Sequence, residues 1–400
     1  MMIENHLYRD ERWLQQHVRS LLNFYYPDCI DHRFGGYISQ LSDVDGHVYD
    51  GKNKMVVSTA RFVYNFSVGK MLGGPDWCHS AAHHGVDFLL EAHKQDDGGY
   101  PWLLSGRDVT DAQRTCYGHA FVLFALSTAA KANIPRAADH IDETFELINE
   151  HFWEDEHGLC KGKLDAEWNE IEQYRGQNAN MHMCEAMISA YEATGEEMYL
   201  DHAYTIAERL ALDLADKGDG LLWEHYTTNW EHDWEYNRDQ PTHLFRPWGY
   251  QPGHLMEWTK LLLHLAEYLD EQWLVDRARH FFDAAVEYGW DDNNGGFVYN
   301  FDRDGEPIAS EKYYWKLAEG FAAAARLAEA TDDSTYWEWY DRIWDYAWEN
   351  MVNQKYGNWY FKLTPDNQIH DDIDSTPEVK TGYHSLGACY DVLQMTAQDL

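Results

Sequence analysis

A glycine turn recurs six times along the chain, and its spacing constrains the fold more than any other sequence feature. The turns are marked by Gly36, Gly99, Gly158, Gly220, Gly296 and Gly357. Successive markers lie 63, 59, 62, 76 and 61 residues apart. Such a repeat is too long for a solenoid of single short hairpins, and it fits two helices with their loops, because an average helix has about 11–12 residues. The spacing therefore predicts six helix-pair units.

The segments between the turns show two kinds of helical pattern. Residues 196–215 carry apolar side chains at intervals of three and four, which is typical of a helix with one solvent-facing side. Residues 119–130, 182–193 and 317–330 are apolar or small around most of the helix, which is typical of buried helices. Six inner and six outer helices predict an all-α (α/α)6 barrel, with an open superhelical array as the alternative. Alternating stretches after the glycine turns predict small β-hairpins and long loops at one end.

Composition excludes several classes of partner. The chain has 69 acidic and 31 basic residues, a formal charge of −38, so it would repel nucleic acid and anionic membrane surfaces. We therefore expect no nucleic-acid or membrane partner. No linker or low-complexity segment interrupts the sequence, so we expect residues 1–400 to form a single domain.

The sequence also indicates a location. We find no signal peptide at the N-terminus and no run of the roughly 18 apolar residues that a membrane span needs. The six cysteines are scattered and form no CxxC pair, which favours reduced thiols over disulfides or a zinc site. A cytoplasmic protein is therefore expected.

Polar residues recur near the start of each predicted inner helix. They are Arg61, His119, His182, His254, Glu319 and His384. Their separations of 58, 63, 72, 65 and 65 residues follow the repeat. Helix starts that are in phase share one end of a barrel, so these side chains are expected to converge on its central opening. With 22 histidines in the chain, some of these matches to the repeat are expected by chance. The sequence around each histidine is therefore needed to judge whether it belongs to a site.

Two of these histidines each have a glutamate three residues later, on the same face of the first helical turn. The pairs are His254 with Glu257 and His182 with Glu185. Imidazole titrates near neutrality, so two histidines on opposite sides of a carbonyl compound can move protons, and Glu257 is expected to fix the tautomer of His254. The alternative is a metal centre, because helical bundles hold metals with similar pairs. The bridging carboxylates such a centre needs are not evident, so no metal is expected.

The fourth repeat contains an insertion, residues 221–251, which explains the 76-residue spacing. Long irregular segments in compact domains are usually functional. This one contains Trp223, Trp230, Trp234 and Trp248. Aromatic rings offer flat apolar faces to sugars, so the insertion is expected to be a rim or lid over the barrel mouth.

Several motifs together resemble the N-acylglucosamine 2-epimerase superfamily. They are STARFVYNFS at 58–67, NMHMCEA at 180–186, PGHLMEW at 252–258, Trp315 followed four residues later by Glu319, and Tyr383-His384. The resemblance extends from about residue 10 to residue 395. Within the superfamily the chain is most similar to bacterial aldose–ketose isomerases that act on mannose and related sugars, including the sulfoquinovose isomerase group. It implies an (α/α)6 barrel with neither a metal nor a nucleotide as cofactor.

The resemblance also implies roles for individual residues. His254 and His384 would be the acid/base pair, with His254 acting at carbon. The expected substrate-binding or orienting residues are Arg61, His182, Glu257, Trp315 and Glu319, and the repeat phase adds His119. The implied chemistry is ring opening, removal of the C2 proton to give a cis-enediolate, and reprotonation at C1.

The expected activity is therefore interconversion of D-mannose and D-fructose, and also of D-lyxose and D-xylulose, by a monomer or weak dimer. A 2-epimerase that reprotonates C2 from its other face is the nearest alternative. An (α/α)6 glycoside hydrolase, which uses two carboxylates, and a sugar-binding scaffold without catalysis are more distant ones.

Overall fold

Outer and inner helices alternate through the computed structural model, which describes residues 7–370 and 376–397. The helices are α1 (Glu11–Tyr25), α2 (Val56–Met71), α3 (Asp76–Phe88), α4 (Cys116–Lys131), α5 (Ile141–His151), α6 (Gln177–Thr194), α7 (Glu197–Ala207), α8 (Ala215–Lys217), α9 (Pro252–Ala266), α10 (Gln272–Gly289), α11 (Tyr314–Thr331), α12 (Ser334–Tyr346) and α13 (Tyr383–Ala397). Short 3₁₀ turns precede α1 and α5 at Leu7–Arg9 and Ala138–His140. Helices α3, α7 and α12 continue as π-helical stretches, namely Leu89–His93, Glu208–Leu214 and Ala347–Met351.

The inner helices are α2, α4, α6, α9, α11 and α13, and they form a closed ring. Each contacts the next, and α13 contacts α2. The prediction of an (α/α)6 barrel is therefore confirmed, and the open superhelix is excluded. Small side chains allow the close approach, as in α11, where residues 322–325 are four buried alanines. Outer helices instead bury one stripe, as α1 does with Leu14, Val18 and Leu21.

Strands of two to four residues cover one end of the barrel, as predicted. They are β1 (Gln40–Leu41), β2 (Val48–Asp50), β3 (Asn53–Met55), β4 (Leu103–Ser105), β5 (Asp108–Asp111), β6 (Arg114–Thr115), β7 (Trp153–Glu154), β8 (Leu159–Cys160), β9 (Lys163–Leu164), β10 (Arg175–Gly176), β11 (His225–Tyr226), β12 (Asn300–Phe301), β13 (Pro307–Ala309), β14 (Lys312–Tyr313), β15 (Val352–Asn353), β16 (Asn358–Trp359) and β17 (Lys362–Leu363). Antiparallel hairpins join β1 to β2, β4 to β5, β7 to β8, β12 to β13 and β15 to β16.

A second set of strand pairs links consecutive repeats. The strand just before an inner helix pairs with a strand of the next repeat: β3 with β4, β6 with β9, β10 with β11 and β14 with β17. A single bridge between Tyr250 and Phe301 does the same before α9. These pairs hold the N-terminal ends of the inner helices at the hairpin end of the barrel. The polar residues near those ends are therefore brought to one place.

Further sequence predictions concern the cysteines and the membrane. All six cysteines are buried and free of disulfides, as expected. Among the described residues, no helix combines the length and apolar character needed to cross a membrane.

The glycine turns follow the outer helices, and most need a left-handed backbone. Gly36 has φ +67°, and a Cβ on it would lie 2.6 Å from the Phe88 ring of α3. The turn thus depends on glycine both for its conformation and for close packing onto the next outer helix. In the second repeat the left-handed residue is Gly98, with φ +83°, one residue before the marker that the sequence suggested.

We predict that Gly36→Ala destabilises the fold more than the same change at Gly195, where φ is +76° but no atom lies within 4 Å of the added Cβ. Gly195→Ala should cost about 1 kcal/mol of backbone strain, and Gly36→Ala about 1–3 kcal/mol more from overpacking. Urea unfolding of the two variants measures the difference. Equal losses would contradict the packing role of this turn.

Candidate active site

A cavity opens where the N-terminal ends of the inner helices meet. Six of the predicted residues line it: Arg61, His182, His254, Glu257, Trp315 and His384. Its wall and rim also include Tyr117, Asn178, Gln251, Tyr299, Tyr313, Tyr314, Phe361 and Lys380. The structure thus brings together residues from five inner helices, and these aromatic and charged groups surround a space open at the hairpin end.

The start of α9 places His254 in this cavity. Pro252 occupies the first turn, where its missing N–H needs no partner. Gly253 allows α11 to approach, because a Cβ there would lie 2.3 Å from the Trp315 ring. The centroids of the Trp315 and His254 rings are 5.1 Å apart. The Pro-Gly-His motif therefore seats the histidine directly against an aromatic wall.

His254 is oriented by Glu224, which the sequence analysis missed. Its Nδ1 lies 2.7 Å from Glu224 Oε1. The Gln177 amide donates to Glu224 Oε2 at 3.0 Å, and its own oxygen accepts from the Trp258 indole N–H. Burial would raise the pKa of Glu224, but the hydrogen bond and charge of His254 hold it below its usual value. The ionised Glu224 therefore holds the proton on Nδ1 and leaves Nε2 as the basic nitrogen.

The prediction that Glu257 fixes the His254 tautomer is wrong. The two residues share a face of α9, but Glu224 reaches the imidazole from the loop after α8. Glu224 stands between Trp223 and His225 at the start of the insertion, in a segment that β11 ties to the start of α6. In the sequence, Glu224 stands out only as an acidic residue just after the fourth glycine turn, and no helical spacing links it to His254.

His384 is held in the same manner by Glu319. Its Nδ1 lies 2.7 Å from Glu319 Oε1, and both side chains are buried. Burial lowers the pKa of His384 to about 4, although Glu319 opposes the shift, so the imidazole is neutral at neutral pH. Glu319 lies behind the histidine and does not line the cavity. Of its predicted roles, binding or orienting, Glu319 keeps the orienting one, which it exerts on His384. The ring centroid of His384 is 5.7 Å from that of Trp315.

Arg61 is fixed in the cavity wall by groups other than acids. It donates to the Val379 carbonyl at 2.7 Å and to the Tyr117 hydroxyl at 3.0 Å. The guanidinium carbon lies 4.5 Å from the ring centroid of Phe121 and 4.8 Å from that of Tyr383. These ring faces stabilise the cation without neutralising it. The Arg61 charge therefore remains available to a ligand.

A cluster of carboxylates forms the floor. Glu185 Oε2 lies 3.0 Å from His182 Nδ1, and Tyr383 donates to the same carboxylate at 2.6 Å. Burial alone would raise the pKa of Glu185, but its hydrogen bond to His182 and the charge of Lys260 lower it to about 2. Glu257 Oε1 is buried without a hydrogen bond, with His182 Nδ1 3.7 Å away, and burial together with Glu319 and Glu185 raises the pKa of Glu257 well above the usual value. Glu257 is therefore a neutral acid.

Two groups of three side chains are near enough to each other to hold a cation. They are His182, Glu185 and Glu257, and Glu257, Glu319 and His384. Tyr383 and Lys260 already contact the Glu185 and Glu319 carboxylates, respectively, and Glu257 carries its proton. A hydroxyl donor and a buried ammonium therefore already compete with a cation for the Glu185 and Glu319 carboxylates. The arrangement fits a hydrogen-bonded acid/base network better than a metal centre.

The insertion contributes to the rim, but not through its tryptophans. Leu244, Phe245 and Pro247 line the cavity instead. Trp223 and Trp230 are buried, and Trp223 packs within 4.7 Å of Trp234 and 5.9 Å of Trp248, centroid to centroid. The prediction that the tryptophans face the ligand is therefore wrong. They build the hydrophobic core that an irregular segment needs to hold its shape.

His119 is not part of the site. Its Nδ1 lies 2.8 Å from the Thr115 carbonyl, and its Nε2 accepts from the Tyr100 N–H at 3.2 Å. The ring packs on Phe152 toward the outer layer. Two residues earlier on α4, Tyr117 takes the position that faces the cavity. The repeat phase located this helix correctly but assigned the wrong face, so His119 has a structural role.

Comparisons with known proteins agree with this geometry. The family model for N-acylglucosamine 2-epimerase (GlcNAc 2-epimerase) matches residues 36–388. The D-mannose isomerase of Marinomonas mediterranea is 41% identical to this chain, and the alignment covers 96% of each of the two. A crystal structure of a D-mannose isomerase superposes with a TM-score of 0.94 at 40% identity, covering 97% of this chain and 98% of that one. A cellobiose 2-epimerase from Bacillus thermoamylovorans B4167 shares the fold, with a TM-score of 0.84 at 19% identity, covering 96% of this chain and all of that one.

The charge states of the floor make a prediction about stability. Glu257→Gln replaces a neutral acid with a neutral amide of the same shape, so the free energy of unfolding at pH 7 should change by less than about 1 kcal/mol. Glu319→Gln removes the nearer of the two carboxylates beside the buried Lys260 cation and leaves Asp391 at 3.5 Å, so it should cost about 3 kcal/mol. Chemical denaturation at pH 7 measures both. A larger loss for Glu257→Gln would contradict the assigned protonation states.

Proposed function

The chain belongs to the N-acylglucosamine 2-epimerase family, and on that premise we propose that it is an aldose–ketose isomerase that interconverts D-mannose and D-fructose. The observation that carries the proposal is a pair of imidazoles facing one cavity, each held through Nδ1 by a buried carboxylate. Each Nε2 is thereby left free to exchange a proton. Trp315 lies against both rings and offers a flat face to the sugar.

The proposed chemistry begins with ring opening. His384 Nε2 accepts the proton of the anomeric hydroxyl and passes it to the ring oxygen as the bond between C1 and that oxygen breaks, which leaves an open-chain aldose with a C1 carbonyl. His254 Nε2 then accepts the proton from C2. The electron pair of the C2–H bond forms a C1=C2 double bond, and negative charge develops on O1. Return of the proton from His254 to C1 and transfer of the O2 proton to O1 produce the ketose.

The surrounding groups favour the enediolate. Arg61 places its cation in the cavity wall, and neutral Glu257 is a hydrogen-bond donor rather than a repelling anion. Fixed donors in a buried site stabilise developing charge strongly, because they do not have to reorganise during the reaction. His182 and the aromatic rim complete the wall. These groups would act on oxygen atoms, while the two histidines move protons.

The substrate assignment rests on likeness as well as geometry. The D-mannose isomerase of Marinomonas mediterranea is similar over nearly the whole of both chains, and we extend its substrate to this chain, with D-lyxose as a second candidate. The same enediolate reprotonated on the other face of C2 would give an epimer. The similarity in fold to a cellobiose 2-epimerase keeps that outcome as the second candidate function.

We predict that the protein converts D-mannose into D-fructose, and D-lyxose into D-xylulose. Product identification by chromatography after incubation with mannose, lyxose, glucose, fructose and sulfoquinovose separately tests this. Glucose formed from mannose without fructose would support the epimerase instead. Release of reducing sugar from an oligosaccharide would favour a glycoside hydrolase.

We predict that Glu224→Gln lowers kcat by at least about tenfold, because the His254 Nδ1–H loses its ionised acceptor. His254→Gln should lower kcat by about 10² to 10⁴. Glu231→Gln is the matched control, since it makes the same change at an exposed position of the same insertion. Steady-state rates with mannose provide the measurement, with folding checked by circular dichroism. Wild-type kcat in Glu224→Gln would contradict the orienting role.

We also predict that activity survives exhaustive dialysis against a chelator, because histidine, lysine and tyrosine already bind the carboxylates of the floor. Assay before and after dialysis, with metal content measured by mass spectrometry, tests this. Loss of activity that a divalent cation restores would overturn the assignment of a metal-free mechanism.

A further inference from the structure

A buried line of charges leads away from His384 into the barrel core, on the side opposite the proposed substrate cavity. Behind the histidine, Glu319 Oε2 lies 2.8 Å from Lys260 Nζ. Lys260 Nζ is in turn 3.5 Å from Asp391 Oδ2. All three charged side chains are buried. They connect α11, α9 and α13, three neighbouring helices of the inner ring.

Asp391 is itself held in place from two sides. Its Oδ1 lies 3.3 Å from His264 Nε2 and 3.3 Å from an Arg326 nitrogen. Arg326 also binds Glu267 at 2.5 Å. Lys260, His264 and Asp391 line a second cavity, which extends along the core from His384 to side chains at the far ends of the inner helices. Lys260 is therefore fixed by a network that makes no contact with the substrate cavity.

Buried carboxylates are crowded at the barrel centre, and Lys260 stabilises one of them. Glu185, Glu257 and Glu319 lie close together there, and burial by itself favours the protonated form of each. Burial alone would raise the pKa of Glu319. The charge of Lys260, and then the hydrogen bond and charge of His384, hold that pKa below its usual value. Two of these acids therefore differ in charge: Glu257 keeps its proton, and Glu319 stays ionised.

We propose that Lys260 is a positioning residue that keeps the Glu319 carboxylate as the acceptor of the His384 Nδ1–H. The inference rests on the proposed function, in which His384 acts through its Nε2. A protonated Glu319 would no longer attract that hydrogen, and the imidazole would lose the tautomer and orientation that the reaction uses. Lys260 thus acts on the substrate only through two other side chains.

Charged and titratable groups face Glu319 from every neighbouring inner helix. Helix α9 contributes Lys260 and Glu257, and α13 contributes Tyr383 and His384, while Asp391 of α13 faces Lys260. Helix α2 contributes Tyr64, and α11 itself contributes Tyr314, whereas Glu185 and Arg61 act on Glu257. Of these, Lys260 is the cation whose ammonium lies within hydrogen-bonding distance of Glu319. Its removal should therefore dominate any change in Glu319.

The test replaces Lys260 with methionine, which keeps the length of the side chain and removes the charge. Loss of the cation raises the pKa of Glu319, so the acid limb of the pH–kcat profile should move to higher pH by about 1 to 3 units. Between the old and the new acid limb kcat should fall by up to about tenfold for each pH unit while KM stays nearly constant. Lys131→Met is the matched control, because Lys131 lines the same second cavity but pairs with Glu192, and its profile should not move.

Asp391→Asn is the second variant, since Arg326 keeps Glu267 as a partner there. It removes a negative charge beside Lys260, so its acid limb should stay in place or move to lower pH. An unshifted profile in a folded Lys260→Met, or an upward shift of both variants, would overturn the proposal. If Lys260→Met does not fold, an upward shift in Asp391→Asn alone overturns it. Wild-type protein without any mannose isomerase activity would instead refute the proposed function.

Discussion

Closure of six inner helices into a ring is the constraint on which the rest of the structure depends. It buries almost the whole surface of those helices, so every polar group on their inward faces needs a partner inside the protein. Cross-repeat strand pairs hold the helix starts at one end, where the ring opens into a cavity. The same closure thus creates both the core and the place where polar groups meet a ligand.

Pairing within this ring determines the chemistry of each polar group. His254 and His384 are close to the cavity surface, and a fully buried carboxylate behind each one fixes the proton on Nδ1. Glu257 lacks such a partner and remains neutral. A net charge of −38 therefore describes the outside of the molecule, whereas the cavity contains an arginine cation, imidazoles held by carboxylates and an acid whose pKa is raised.

The sequence predicted what depends on periodicity. The spacing of the glycine turns indicated six helix pairs, and the phase of the polar residues located the barrel end where six of the eight predicted site residues now line one cavity. Phase alone does not determine which face of a helix looks inward, which is why His119 was misassigned. One residue of rotation moves a side chain by about 100°, so Tyr117, two residues away, points to a different side.

Other parts of the site depend on contacts that have no sequence period. Glu224 reaches His254 from a loop 30 residues earlier in the chain. Lys260 on α9 reaches Glu319 on the neighbouring helix α11. The tryptophans of the insertion pack on one another because a long irregular segment must bury apolar surface of its own to hold its shape. Such contacts follow from the three-dimensional course of the chain and could not be predicted from spacing.

The central claim is that paired histidines move a proton through an enediolate, and solvent isotope incorporation tests it most directly. Mannose would be incubated with the protein in heavy water until the sugars reach equilibrium, and the products would be analysed by nuclear magnetic resonance. The account predicts fructose carrying deuterium at C1 and recovered mannose carrying deuterium at C2, because the proton held by histidine exchanges with solvent over many turnovers. Complete interconversion with no deuterium at either carbon would indicate direct hydride transfer and would contradict the account.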